Sequence, residues 1–158
     1  MTQNQHPIFT IGHSNRAIGV FLGLLHAHEI ARLVDVRSFP GSRRHPQFNK
    51  ERLRAAFEAD GIAYTHMVSL GGKRTSPDGS VSGLEAYTAY TETAPFRAAL
   101  AELESLGRRE RVAVMCAEAL WRDCHRTHIA DALARDGFEI VHIAGEKPPE
   151  SAPKLPGF

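Results

Sequence analysis

Short apolar runs alternate along this chain with segments whose apolar residues recur at helical spacing, and that alternation admits few architectures. A short continuous apolar run suits a strand buried on both faces, whereas a single apolar stripe at helical spacing suits a helix lying on a sheet. Their succession predicts an α/β fold: a single domain with a mainly parallel sheet of about five strands and helices on both faces, in Rossmann-like or flavodoxin-like layering. With 158 residues, 42% of them apolar, the chain can fill one such core but hardly two.

The first strand is expected at Ile8–Ile11. A helix follows, with Ile18, Phe21, Leu22 and Leu25 on one face and Ser14 or Asn15 as its cap. Leu33–Val36 reads as the second strand, and a Gly-, Pro- and Arg-rich loop runs from Arg37 to Phe48. Asn49 is expected to cap a helix carrying Leu53, Ala56 and Phe57, which Gly61 stops. Ile62–Met67 reads as the third strand. The segment Val68–Gly83, with Gly71-Gly72, Pro77 and Asp78-Gly79, reads as a long loop. Glu85–Thr91 suits a short helix, and Pro95 and Gly107 bracket a longer one bearing Phe96, Leu100, Leu103 and Leu106. Arg111–Met115 and Glu139–Ile143 complete the strands, separated by a helix that Asp123 is placed to cap.

The domain so read spans residues 8–145. Residues 146–158 hold four of the nine prolines and form a tail expected to be extended or disordered. Residues Met1–Pro7 show no apolar run of the kind that targets or anchors a chain, which predicts a cytoplasmic protein with no membrane partner. In a reducing compartment Cys116 and Cys124 are expected as thiols. Nineteen Lys and Arg against eighteen Asp and Glu leave a formal charge of +1, so any affinity for anions must come from local clustering.

Such clustering is what the strand assignments predict. Ligands of open parallel sheets bind beyond the carboxyl ends of the strands. Those ends lead into Gly12-His13-Ser14, into Asp35 and Arg37 followed by Arg43 and Arg44, into Gly71-Gly72-Lys73-Arg74, and into the run from Cys116 to Arg126. One edge therefore gathers Arg37, Arg43, Arg44, Lys73, Arg74, Arg122 and Arg126. Guanidinium groups suit phosphate and carboxylate because they bind planar anions in a bidentate way. His13, Ser14, Arg37, Arg43, Gly71, Gly72 and Arg126 are the candidate anion-binding residues. Asp35, two positions before Arg37 on an extended chain, is expected to order that arginine by a salt bridge.

The densest signal is Met115-Cys116-Ala117-Glu118-Ala119-Leu120-Trp121-Arg122-Asp123-Cys124-His125-Arg126, at a strand-to-helix transition. Cys124 is expected in the first helical turn, where free amides, the helix dipole, His125 and neighbouring arginines favour thiolate. Cys116 ends an apolar strand and equally suits a buried, space-filling thiol. Glu118 and His125 are the proton-transfer candidates. The candidate catalytic set is thus Cys116, Glu118, Cys124 and His125.

Thr10-Ile11-Gly12-His13-Ser14-Asn15, Val34-Asp35-Val36-Arg37 with Pro40, Ser42 and Arg43, Leu70-Gly71-Gly72, and Cys116-x-Glu118 followed by Cys124-His125-Arg126 resemble the family termed domain of unknown function 488. The resemblance spans about Ile8 to Gly145. It implies an α/β fold with a shared site, and no particular reaction. The chain departs from the family pattern at Leu120-Trp121-Arg122-Asp123, where a proline and then Trp-Arg directly before the second cysteine are expected. Its loop from Lys73 to Gly83 is also shorter.

Three functions compete. The first is an enzyme acting on or binding an anionic substrate, a nucleotide, a nucleic-acid component or another phosphate or carboxylate, as a cysteine-dependent hydrolase or transferase. Cys116 and Arg122 fit a Cys-x5-Arg phosphate loop, but Ala117-Glu118-Ala119-Leu120-Trp121 contains no glycine and sets a carboxylate where phosphate would lie. The second is a zinc or iron site built from Cys116, Cys124 and His125, with His13 or Glu118; the seven residues between the cysteines match no standard finger. The third is a non-catalytic nucleic-acid-binding module using Arg43, Arg44, Lys73 and Arg74, with Phe39, Phe48 or Trp121 as stacking surfaces. Which cofactor, if any, the chain uses is not identified by the residues.

Overall fold

In the computed structural model the described residues are 6–37, 45–71, 83–116, 125–143 and 150–151. Strands β1 (Ile8–Gly12), β2 (Arg32–Asp35), β3 (Ala63–His66), β4 (Val112–Cys116), β5 (Ile140–Ile143) and β6 (Glu150–Ser151) form one sheet in the order β3-β2-β4-β1-β5-β6. The first five are parallel, as the alternation of the sequence requires, and β6 alone runs antiparallel, beside β5. Two residues of the proline-rich tail thus join the sheet.

Successive strand residues point to opposite faces, and both faces are covered. Ile8, Val34, Val112, Val114 and Ile140 pack with Phe96, Leu100 and Leu103 of α4 (Ala94–Arg109), Ile129 and Leu133 of α5 (Arg126–Arg135), and Tyr87 of α3 (Gly83–Tyr90). Phe9, Ile11, Leu33, Ala113 and Met115 pack the other way, against Phe21, Leu24 and Leu25 of α1 (Ile18–Ala27) and Leu53 and Phe57 of α2 (Lys50–Asp60). The result is a three-layer sandwich. Among the described residues no helix is long and apolar enough to cross a membrane.

Three helix boundaries differ from the sequence expectation: α5 starts at Arg126 with His125 as its N-cap, later than a cap at Asp123 and a first turn holding Cys124 require, and α1 and α4 differ as well. Helix α1 starts after Ala17, without a side-chain cap; Ser14 instead turns the chain with φ 50°. Gly107 does not end α4, which runs on to Arg109. Its reason for being glycine is proximity: a Cβ there would meet Ile8 Cδ1 at 2.8 Å and Cγ1 at 3.0 Å, so the missing side chain lets α4 lie directly on the start of β1. The other end of α4 follows expectation, with Pro95 in its first turn and the Thr93 hydroxyl accepting the Phe96 N–H. Gly61, at φ 76°, closes α2 in the left-handed conformation.

Because Ile8 is fully buried, it has nowhere to retreat from an added side chain at Gly107. Gly107→Val should cost about 1–3 kcal/mol through overpacking. Thermal melts check this, and an unchanged Tm would mean that α4 slides freely over β1.

Candidate functional site

Strands β1 and β4 are hydrogen-bonded neighbours, with Gly12 level with Cys116. The chain leaving β1 goes to α1 on one face, and α5, which follows β4, lies on the other. Adjacent parallel strands whose connections diverge leave a crevice between their carboxyl ends, the topological switch point of an open sheet. Here the His13 N–H donates to the Cys116 carbonyl (2.9 Å) across that point, and the Val36 N–H from the end of β2 donates to the Met115 carbonyl (3.0 Å). His13, Val36, Arg37, Cys116, His125 and Arg126 are thereby set around one edge of the sheet.

On the α1 side of the edge the charges are already matched. The fully buried Asp35 carboxylate accepts Arg37 Nε (2.9 Å) and the Arg37 backbone N–H (3.1 Å) on Oδ1, and Arg37 Nη2 (2.8 Å) on Oδ2. This is the bidentate pair that their spacing predicts. Tyr64 Oη also donates to Oδ2, at 2.5 Å; burial, the Asp35 charge and this bond push the phenol above its ordinary range. The Arg37 carbonyl accepts His66 Nε2–H (2.7 Å). Side chain and backbone of Arg37 are therefore both fixed.

His13 lies beside this pair, 3% exposed, stacked on Phe48 with ring centroids 4.4 Å apart. Its Nδ1–H donates to the Ser14 carbonyl (2.8 Å), which the left-handed Ser14 turn presents, and so Nε2 carries the lone pair. Burial lowers the His13 pKa to about 4, with Arg37 and His45 adding to the effect against the Ser14 bond and Asp35. At neutral pH His13 is thus an uncharged acceptor. Phe48 is fully buried, packed edge-on to Phe21, which removes it as a stacking surface for bases.

On the α5 side two arginines stand among the described residues of the edge. Arg126, the first residue of α5, is 1% exposed, and its Nη1 donates to Thr10 Oγ1 (3.2 Å). Arg16 donates from Nη1 to the Gly12 carbonyl; burial and the Arg126 charge lower its pKa. Among the described residues no carboxylate forms a salt bridge with Arg16. His125, at the N-cap of α5, donates Nε2–H to the Val36 carbonyl (2.7 Å) and meets the Tyr87 ring edge-on, which leaves Nδ1 as its basic nitrogen. Cys116 ends β4, 2% exposed in the apolar layer beneath α4 and α5.

Gly71 ends a 3-10 turn over Val68–Leu70 with φ −64°, so its backbone there does not require glycine. Arg43, Gly72, Glu118 and Cys124, with Phe39, Arg44, Lys73, Arg74, Trp121, Arg122 and Asp123, lie outside the described residues. Among the described residues no three His, Cys, Asp or Glu side chains converge as metal ligands. The sequence reading overlooked Thr10, Arg16, Tyr64, His66 and His142 as members of this edge. Arg16 carried a signal, standing three residues after His13 in the loop of β1; the others sit inside strands, where period alone reads them as packing.

The family model for domain of unknown function DUF488 matches residues 17–133, well over half of the chain. The chain is a DUF488 protein. No curated protein and no solved structure matches it. The DUF488 match covers β2, β4 and the start of α5, and so takes in Arg37, Cys116, His125 and Arg126.

The neutral state of His13 has a measurable consequence. With a folded pKa of about 4 against 6.5 for the ordinary side chain, the unfolded chain binds the extra proton first. The contribution is whole above pH 6.5 and is lost as the pH falls toward 4. Glu104, raised to about 7 by burial and by its contact with Asp136, acts in the opposite sense, since its stabilisation fades as the pH rises through that value. Only a difference between variants isolates His13. The Tm of the parent should fall more steeply than that of His13→Gln between pH 6.5 and 4; parallel curves would mean that His13 takes up its proton in the folded state.

Proposed function

We propose that this DUF488 chain is an enzyme-like protein that binds an anionic substrate, a phosphate or carboxylate group of a nucleotide or nucleic-acid component, at the switch point between β1 and β4. The observation that carries this reading is the Arg126 guanidinium, buried at the head of α5 and hydrogen-bonded to Thr10, with Arg16, whose pKa the Arg126 charge lowers, at the same edge. Guanidinium groups set in a partly desolvated crevice offer planar, bidentate donors to a phosphate or carboxylate. Arg37, its charge matched by Asp35, acts as a fixed wall of the site.

Cysteine chemistry suits the same edge. Cys116 is buried among apolar side chains, which excludes reagents, so Cys124, next in sequence to the N-cap His125, is the proposed nucleophile. His125 Nδ1 and His13 Nε2 are the proposed proton acceptors, each presented by a ring whose other nitrogen is held by a carbonyl. Glu118 is the third candidate for that role.

Two measurements test the reading. Inorganic phosphate at saturating concentration should raise the Tm by about 4 °C or more. Arg16→Gln should lose most of that rise while melting like the parent without phosphate, because Arg16 is only partly buried. An equal rise in parent and variant would place the anion elsewhere. Iodoacetamide followed by mass spectrometry should modify Cys124 before Cys116 in the folded protein; the reverse order would make Cys116 the reactive thiol.

A further inference from the structure

We infer that Thr10 and His142 are positioning residues that fix the Arg126 guanidinium through a buried hydrogen-bond chain running from α5 through β1 to β5, an inference that rests on the anion site proposed above. The geometry is a line of three polar side chains. Arg126 Nη1 lies 3.2 Å from Thr10 Oγ1, and Thr10 Oγ1 lies 2.5 Å from His142 Nδ1. All three residues are 1% exposed. Thr10 and His142 are register partners on neighbouring strands, on the face where Ile8, Val114, Ile140 and Ile129 form an apolar cluster.

The direction of the chain follows from counting protons. Arginine only donates, so Thr10 Oγ1 accepts from Nη1 and must place its own proton on an acceptor. His142 Nδ1 is the acceptor in reach. The imidazole then presents its Nδ1 lone pair to the hydroxyl, which turns a lone pair of its own toward Arg126.

Fold stability does not call for this arrangement. Aliphatic side chains would fill the layer without the cost of desolvating a hydroxyl, an imidazole and a guanidinium. Its physical effect lies in the arginine: a long side chain with many rotamers is tied at Nη1 before any anion arrives, so less freedom is lost when one binds. Thr10 does this without touching the anion. Its position two residues before Gly12, whose carbonyl accepts from Arg16, makes β1 the common anchor of both cations.

The experiment measures the Kd for inorganic phosphate together with the Tm of the phosphate-free protein. Thr10→Val keeps the shape and removes the relay, and should weaken binding by about tenfold, whereas Thr10→Ser, which restores the hydroxyl, should bind within about twofold of the parent. His142→Leu should weaken binding in the same way, and His142→Asn, whose amide oxygen can replace Nδ1 as acceptor, should retain it. The histidine pair makes the comparison if Thr10→Val fails to fold. Nitrogen-15 spectra of the anion-free parent should show the unprotonated signal at His142 Nδ1, and a protonated Nδ1 would overturn the relay whatever the anion does. Thr10→Val that binds as the parent does would overturn the positioning role and leave the anion site standing. A parent that binds no phosphate would overturn both.

Discussion

The pairing of β1 with β4 is the constraint from which the rest of the functional edge follows. Hydrogen bonding in register brings Gly12 level with Cys116, and the helices that follow the two strands lie on opposite faces. The His13 amide closes the first step of the gap between the two strand ends onto the Cys116 carbonyl, which fixes where the imidazole starts. Had β4 been added outside β3, His13 and Cys116 would stand at separate places along the sheet, and the chain would present two unrelated loops.

Around that gap the buried charges are treated differently on the two faces. On the α1 face Asp35 receives three N–H groups of Arg37 and the Tyr64 hydroxyl, so a carboxylate that would be costly to bury is fully supplied with donors. His13 avoids charge altogether, since desolvation outweighs its carbonyl partner. On the α5 face Arg126 donates to the Thr10 hydroxyl, which also bonds the His142 imidazole, and Arg16 donates to the Gly12 carbonyl. Partners of this kind orient a guanidinium through its N–H groups.

Much of the fold was legible in the sequence because burial on both faces of a parallel strand writes itself as an apolar run, as in Val112-Ala113-Val114-Met115. Helix boundaries were less so. Ser14 and Gly107 are residue types that commonly end or begin helices, yet one serves a left-handed turn that feeds His13 a carbonyl and the other a close contact with Ile8. In both cases a tertiary neighbour decides the use of the residue, and local spacing does not contain that neighbour. The Asp35–Arg37 pair was visible because its partners are two positions apart where β2 ends. Tyr64 was not, because its partnership with Asp35 depends on β2 and β3 being adjacent and in register.

The same limit explains why the loops of β1 and β4 drew attention while the interior of β1 did not. Thr10 is a β-branched residue in a strand, a position where threonine is ordinary, and His142 is one histidine among nine. What distinguishes them is that parallel pairing sets them side by side on the face that α5 covers, with Arg126 reaching the same hydroxyl. The strand that carries Thr10 also carries, two residues on, the Gly12 carbonyl that holds Arg16, so a shift of β1 by one register step would displace both cations together. The geometry of the cationic face is therefore coupled to sheet register, and substitutions deep in β1 are expected to act at the edge more strongly than many substitutions in the loops.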